Sequence, residues 1–533
     1  MKYHNPIITG FHPDPSVCRV GNDFYLVNSS FEYFPGIPIY HSTDLTHWEQ
    51  IGHVLDRKNQ LKLVSGAPNC LGIYAPTIRY HEGIFYCIVT NVGGRSGGNF
   101  FVYTTDPYGR WSNPVKLPFA GIDPSLFFDE DGRIYYTGTD TGIYIAEITF
   151  DVVRNDTPKR NELPVSIQNV KCGEKHYIWN GSGGNNPEGP HLYRIHDMYY
   201  LMIAEGGTEY CHMVTIARSK NVYGPYEACP HNPVLSNRST CLNIKAIGHA
   251  DLVEDSQGSW WAVCLGIRPL GFRHNLGRET MLAPVKWENG WPVMGDNGTV
   301  TETFEVETAP GKKTRKSDFY IPGSNMTDTF CSNKLHPSWN TIYTPVSKFV
   351  KPTKQGLSLC AYDTTLSDDK PKAILVRRQE HFHFTATATL TLESVNAGSE
   401  AGITIYMNNR HHYEAALSTV GNGEYFLILR RRIGSLQAVE ARIPFHCNTV
   451  QFILTGDKNH YTFSYLDVKP DANPMPASAA FPGAVDASVF IGEGEAQYLT
   501  TEVGGCFTGN YIGLYASKGE ALFTEFSYQG GRS

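Results

Sequence analysis

A chain of 533 residues with 45 Lys and Arg against 52 Asp and Glu, formal net charge −7, exceeds one ordinary hydrophobic core and has no basic excess of the kind nucleic acid demands. It contains no run of eighteen apolar residues, and MKYHNPIITG lacks a basic start followed by an apolar segment, so neither a membrane span nor an export signal is expected. The 51 glycines, 32 prolines and 12 % aromatics suit many short strands joined by tight turns.

In chain order, one unit recurs about every 45–65 residues. The instances are HPDPSVCRVGNDFYLV from His12, APTIRYHEGIFYCIV from Ala75, DPSLFFDEDGRIYYTG from Asp123, EGPHLYRIHDMYYLM from Glu188 and HADLVEDSQGSWWAV from His249. Each reads as a hairpin: a first strand, a turn of Gly, Asn, Asp or Ser, then a strand rich in Tyr, Phe and Trp. Further strands follow in IYHSTDLTHW from Ile39, FVYTTDPYGRW from Phe101, TIARSKNVYGPY from Thr215 and ETMLAPVKWENGW from Glu279. The pattern predicts a five-bladed β-propeller over residues 1–310. Because the first strand of each blade lines the central channel, Asp14, Asp123 and Glu188 are expected to meet in one funnel. There, burial and mutual repulsion would raise at least one carboxyl pKa. A lone DPS more often marks an Asp-capped turn; its recurrence at equivalent blade positions beside PEGPH favours chemistry. Asp129, Asp131 and Asp255 fall in hairpin turns and receive no chemical role.

The periodicity lapses between Ala309 and Thr329, in PGKKTRKSD and IPGSNMTD, where a domain boundary is expected and the Lys312–Lys316 cations read as a solvated linker. Beyond it, over 325–533, alternation returns: Ile403, Ile405 and Met407 on one face with Thr404 and Tyr406 on the other, then Val450, Phe452 and Leu454. YFLILR, HYTFSYL and EALFTEFSY add strands, predicting an antiparallel β-sandwich and hence an all-β chain. The twelve cysteines lack CxxC spacing, and several sit inside strand patterns. They are expected to be reduced thiols of a cytoplasmic protein.

The stretches NPIITGFHPDPS, SSFEYFPGIPIYHSTDLTHW, APTIRY, GIDPSLF, PEGPHLY, MYYLMIAEGGT, GHADLV and LGRET follow the order of glycoside hydrolase family 43. In particular, the chain resembles the β-xylosidase and α-L-arabinofuranosidase branch, a propeller followed by a lectin-like jelly roll; VGGCFTGNYIG carries the likeness into the second half. The resemblance implies that Asp14 is the general base, Glu188 the general acid and Asp123 the group that keeps Glu188 protonated and oriented. It implies inversion, with acid and base about 6.5–9.5 Å apart. Phe31, Tyr74, Thr208 and Arg278 would line the sugar pocket, Phe507 would close it from the sandwich, and His249 would stand beneath it, holding water or a calcium ion. Family xylosidases often carry a tryptophan where this chain has Tyr74 in GIYAPT.

The function so implied is release of terminal β-1,4-linked xylose from xylo-oligosaccharides, with α-L-arabinofuranose as a side or main product. No organic cofactor is needed, and homo-oligomers, dimers or tetramers, are usual. A fructosidase-like enzyme would show NDPNG, RDP and EC; this chain has HPDPS, GIDPS and PEGPH instead. A binding-only propeller would have lost one of the three carboxyls, and all three are present.

Overall fold

Five antiparallel sheets, each built from consecutive hairpins, make up the first half of the computed structural model, which describes residues 2–64, 69–93, 97–305, 325–332, 334–468 and 487–531. The expected boundary between 310 and 325 and the Lys312–Lys316 cluster lie outside the described residues. The blades begin with the strands Ser16–Val20, Thr77–His81, Ile122–Phe128, Glu188–Ile195 and Lys245–Glu254. Each of these is paired to the aromatic strand that follows it. They are the inner strands. The tyrosines and tryptophans of the second strands pack between blades, as where Tyr86 meets Phe128 at 4.9 Å and Tyr200 meets Trp287 at 5.0 Å. Large flat rings fill the widening wedge between twisted sheets with few rotatable bonds.

The ring closes where the two ends of the propeller meet. Lys2–His4 pairs with Thr303–Glu305, Ile8 bridges Thr280, and Asn5 Nδ2 donates to the Leu282 and Thr301 carbonyls. Blades one and five are thereby tied together by backbone bonds. Beneath the funnel, Asp251 is fully buried and accepts from Arg79 Nη1 at 2.7 Å, Ser16 Oγ at 2.6 Å and Tyr193 OH at 2.6 Å. Burial opposes its charge, but Arg79 and its other partners prevail and hold the carboxyl far below the usual range. Removing one member of such a buried pair costs about 3–5 kcal/mol, so this network pins four blades, the first, second, fourth and fifth, at the axis.

The second half is a sandwich of an eight-stranded and a six-stranded sheet, with one apolar core between them that includes Leu390, Phe452 and Phe523 from one and Ile403, Leu427 and Leu514 from the other. Among the described residues the α-helical content is a single turn, Thr501–Gly504. Met407 departs from the expected alternation. The register breaks between Tyr406 and Asn408, and Met407 joins Tyr406, Phe31 and Cys506 in a separate apolar cluster, away from Ile403 and Ile405. A bulge sends the side chain to the other face.

The sandwich rests on the propeller around this second cluster. Tyr33 stacks on Tyr511 with ring centroids 3.7 Å apart, Thr341–Ile342 pairs with Tyr33–Phe34, and Arg378 Nε donates to the Phe11 carbonyl at 2.7 Å. Asn275 Nδ2 reaches Tyr461 OH at 2.8 Å. This contact brings sandwich residues to the propeller face that carries Phe31.

Candidate active site

Asp14 just ahead of the first inner strand, Asp123 at the start of the third and His249 inside the fifth, which begins earlier than expected at Lys245, all have left-handed backbone, with φ of 52°, 54° and 47°; Gly189, next to Glu188, has 62°. That conformation is uncommon outside glycine, though Asp and His tolerate it better than most residues. The ladders of blades three, four and five also break there, between Ile122 and Ser125, Glu188 and His191, and Gly248 and Asp251. Such bulges re-aim a side chain that regular pleating would bury between sheets. The same irregularity, repeated around the ring, gathers these side chains at one place.

Asp14 is 5 % exposed. Its Oδ2 accepts from Ser29 Oγ at 2.5 Å and its Oδ1 from Arg278 Nη1 at 2.9 Å, with His249 Nδ1 4.0 Å away. Burial opposes its charge, but the Arg278 guanidinium, helped by His249 and Ser29, outweighs it and lowers the pKa. Glu188 is affected in the opposite sense: burial, and then the negative charge of Asp14, push it up to about 7. Asp123 is raised well above the usual carboxylate range, by burial first and then by Glu188 and Asp14. Asp123 and Glu188 titrate as a pair that retains a proton near neutrality. Asp123 also accepts the Gly189 N–H at 3.1 Å, and so grips the backbone beside Glu188.

Arg278 binds this cluster to the pocket wall. Its Nη1 also donates to Thr208 Oγ1 at 2.9 Å, and its guanidinium carbon lies 5.7 Å from the Phe31 ring and 5.8 Å from the Phe507 ring. Phe31 meets Tyr74 at 5.1 Å and Phe507 at 5.9 Å, and Tyr74 meets Phe507 edge-on at 6.4 Å. Burial raises the Tyr74 phenol, and the Asp123 charge adds to it, which places the hydroxyl within the field of the carboxyls. An aromatic wall stands beside one carboxyl held low, a carboxyl pair held high and a fork of guanidinium donors.

The cysteines correct one expectation. Cys70 and Cys506, 436 residues apart, are joined as a disulfide with Cα atoms 5.8 Å apart, where reduced thiols were expected throughout. The two sulfurs come from loops of different domains, so no local spacing could reveal the pairing. The other ten cysteines are unpaired.

His249 is buried beside Asp14, and burial, first among the causes, lowers its pKa. Its ring fills the space over Gly189, where a Cβ would lie 2.9 Å from His249 Cε1. It offers one nitrogen, whereas calcium takes six to eight oxygen ligands. Asp14, the carboxylate nearest to it, is already engaged by Arg278 and Ser29. A calcium ion there would have to draw most of its ligands from water and backbone carbonyls. Among the described residues the group of three side chains spaced to hold a metal is His446, Cys447 and Asp467, on the sandwich. Gly189→Ala is expected to cost about 1–2 kcal/mol in backbone energy and to disturb the Asp123 contact with the neighbouring amide. The expected result is a lower melting temperature and a lower kcat with little change in KM, read by thermal unfolding and steady-state kinetics.

Residue-by-residue reading of the sequence passed over Ser29, His212 and Glu205. Ser29 stands in SSF and could have been marked beside Phe31. His212 is buried, is pushed down to about 3 by burial first, and packs so close to Gly248 that a Cβ there would lie 2.3 Å from its ring. Glu205 is fully buried and accepts from the Ser182 and Gly184 amides at 2.7 Å each and from Thr215 Oγ1 at 2.6 Å. It thus ties down the loop leading to Glu188.

Comparison with known proteins gives matches along the whole chain. Residues 3–292 match the model of glycosyl hydrolases family 43, and residues 327–529 match that of the β-xylosidase C-terminal concanavalin A-like domain. The non-reducing end α-L-arabinofuranosidase BoGH43B of Bacteroides ovatus is 39 % identical over 97 % of this chain and 91 % of its own length. A xylosidase/arabinosidase of Butyrivibrio fibrisolvens is 40 % identical over 77 % of this chain and 79 % of its own. The solved structure of GH43B from the Bacteroides ovatus xyloglucan PUL superposes over 100 % of both chains with a TM-score of 0.86 at 36 % identity.

Proposed function

The chain belongs to glycosyl hydrolase family 43 and is a glycoside hydrolase, and from that premise we propose an inverting, exo-acting enzyme that releases terminal β-1,4-linked xylose from xylo-oligosaccharides and α-L-arabinofuranose from the same pocket. The observation that carries this reading is the opposite displacement of two carboxyls in one cluster: Asp14 lowered, Glu188 raised to about 7. Environments that push two carboxyl pKa values apart assign the base and the acid.

In this reading Asp14, ionised, takes a proton from the water that attacks the anomeric carbon. Glu188 delivers its proton to the leaving oxygen; burial and the Asp14 charge keep it protonated, and Asp123 orients it through the Gly189 amide. Arg278 holds Asp14 ionised and offers its remaining donors to sugar hydroxyls; its Nε is buried without a protein partner among the described residues. Phe31, Tyr74 and Phe507, mutually tilted, enclose the apolar surface of one ring, which supports action at chain ends. The proton transfers need no organic cofactor. Ten of the twelve cysteines are unpaired and only Cys70–Cys506 is bonded, a balance that supports a cytoplasmic setting, in which short oligosaccharides are the accessible substrates.

The test is proton NMR of xylobiose hydrolysis in its first minutes, before mutarotation. Early α-xylose is expected; early β-xylose would mean retention and overturn the roles of Asp14 and Glu188. A second reading, mainly α-L-arabinofuranosidase, is favoured by Tyr74 standing where family xylosidases often carry tryptophan and by the name of the Bacteroides ovatus relative. The ratio of kcat/KM on aryl β-xyloside and aryl α-L-arabinofuranoside decides between the two.

A further inference from the structure

Phe507 is the part of the aromatic wall that the sandwich contributes, and it is 38 % exposed. It follows the single helical turn Thr501–Gly504 and the left-handed Gly505, where the chain leaves regular structure. Its amide donates to Cys70 Sγ at 3.0 Å, and the residue before it, Cys506, is bonded to that same sulfur. Cys70 is itself anchored to the wall, for its amide donates to Glu32 Oε2 at 3.2 Å, and Glu32 directly follows Phe31. Two residues on, Gly72 lies against Phe31 so closely that a Cβ would stand 2.2 Å from the Phe31 oxygen. Ile73 exchanges backbone hydrogen bonds with Phe31 at 2.8 and 3.1 Å, and Tyr74 follows. The short segment from Cys70 to Tyr74 therefore carries one ring, braces a second and is bonded to the neighbour of the third.

We propose that Cys70 and Cys506 form a redox-controlled clamp that sets the position of Phe507, and with it the width of the pocket mouth and its affinity for a terminal sugar. The inference rests on the proposed reading of the Phe31, Tyr74 and Phe507 wall as the sugar pocket. Opening needs a dithiol reductant. One of its thiolates attacks a protein sulfur, the Cys70–Cys506 bond breaks and the other cysteine leaves as a thiolate that takes up a proton. The second thiol of the reductant then displaces the first protein sulfur. Two electrons pass to the protein, which ends with two thiols, and the reductant ends as a cyclic disulfide. A small disulfide such as oxidised glutathione runs the exchange in reverse and closes the clamp.

Closed, the clamp confines Phe507 against Phe31, Tyr74 and Arg278; open, the loop is held across the domain interface by weaker contacts. Neither sulfur is a partner of Asp14, Glu188 or Asp123 in the hydrogen bonds above. The change should therefore appear in KM: a rise of about three- to tenfold on reduction, the scale of losing one or two aromatic contacts, with kcat within about twofold.

The experiment compares the full chain equilibrated with oxidised glutathione and with dithiothreitol, using thiol alkylation and peptide mass mapping, thermal unfolding, and kinetics on an aryl β-xyloside and an aryl α-L-arabinofuranoside. Expected are a linked Cys70–Cys506 peptide pair and a higher melting temperature in the oxidised sample only, with the lower KM there. Cys506→Ser, or Cys70→Ser should that variant fail to fold, should show the higher KM under both conditions. Absence of the linked peptides after oxidation, or their presence with the same KM in both states, overturns the clamp. The mapping and melting do not depend on turnover, and xylose and arabinose affinities by calorimetry replace KM if neither glycoside is cleaved. An inactive protein would thus refute the proposed function while the clamp is still decided.

Discussion

Glu188→Gln is expected to slow xylobiose hydrolysis by about 10³-fold, within the range that a positioned general acid contributes, with KM little changed. Glutamine keeps the shape and polarity of the side chain but cannot transfer a proton to the leaving oxygen. The loss should therefore shrink toward nothing on a dinitrophenyl glycoside, whose leaving group departs without protonation. The pH dependence should change as well. In the unaltered enzyme Glu188 must be protonated, so activity falls as pH rises through about 7, and this alkaline limb should vanish in the variant. Kinetics on the two substrates across pH check both points. An equal loss on both substrates, or an alkaline limb that survives, would remove Glu188 from the acid's role.

Asp14→Asn should lower turnover by about 10³- to 10⁴-fold, and equally on good and poor leaving groups, because attack by water is common to both. The carboxylate must be ionised, so the acid limb of the unaltered enzyme should lie below the ordinary aspartate value of 3.8, where Arg278 has moved it against the opposing effect of burial. The contrast between the two variants is the diagnostic, since loss of a generally important structural group would not separate substrates by leaving group. Sugar affinity in both, measured by calorimetry, should stay near that of the unaltered chain.

Much of the propeller was legible because each blade repeats its own local chemistry: turn residues between strands, and aromatics on the second strand. The openings HPDPS, GIDPS, PEGPH and GHADLV also pointed to one ring of side chains. What those motifs could not express was backbone conformation. Nothing in the period of the strands marks left-handed backbone at Asp14, Asp123 and His249, or the bulge that turns Met407 away from Ile403 and Ile405. Glu205 looked like the end of an apolar strand, and only its three donors distinguish it.

The order of residues by itself determined an all-β chain, five hairpin units, a sandwich after them and the three carboxyls that open inner strands. These are properties of local periodicity and turn chemistry, which act over a few residues and are written contiguously. Tertiary structure alone supplied the physical cause that lowers Asp14 while Glu188 is raised, because that depends on Arg278 reaching Asp14 across 264 residues and on Ser29 closing the other oxygen. It also decided that Cys70 meets Cys506, and it sets Phe507 of the sandwich, as the resemblance implied, against Phe31 and Tyr74. Electrostatic and covalent contacts depend on distance in space, and distance in space is set only once the blades have closed into a ring and the sandwich has docked against them.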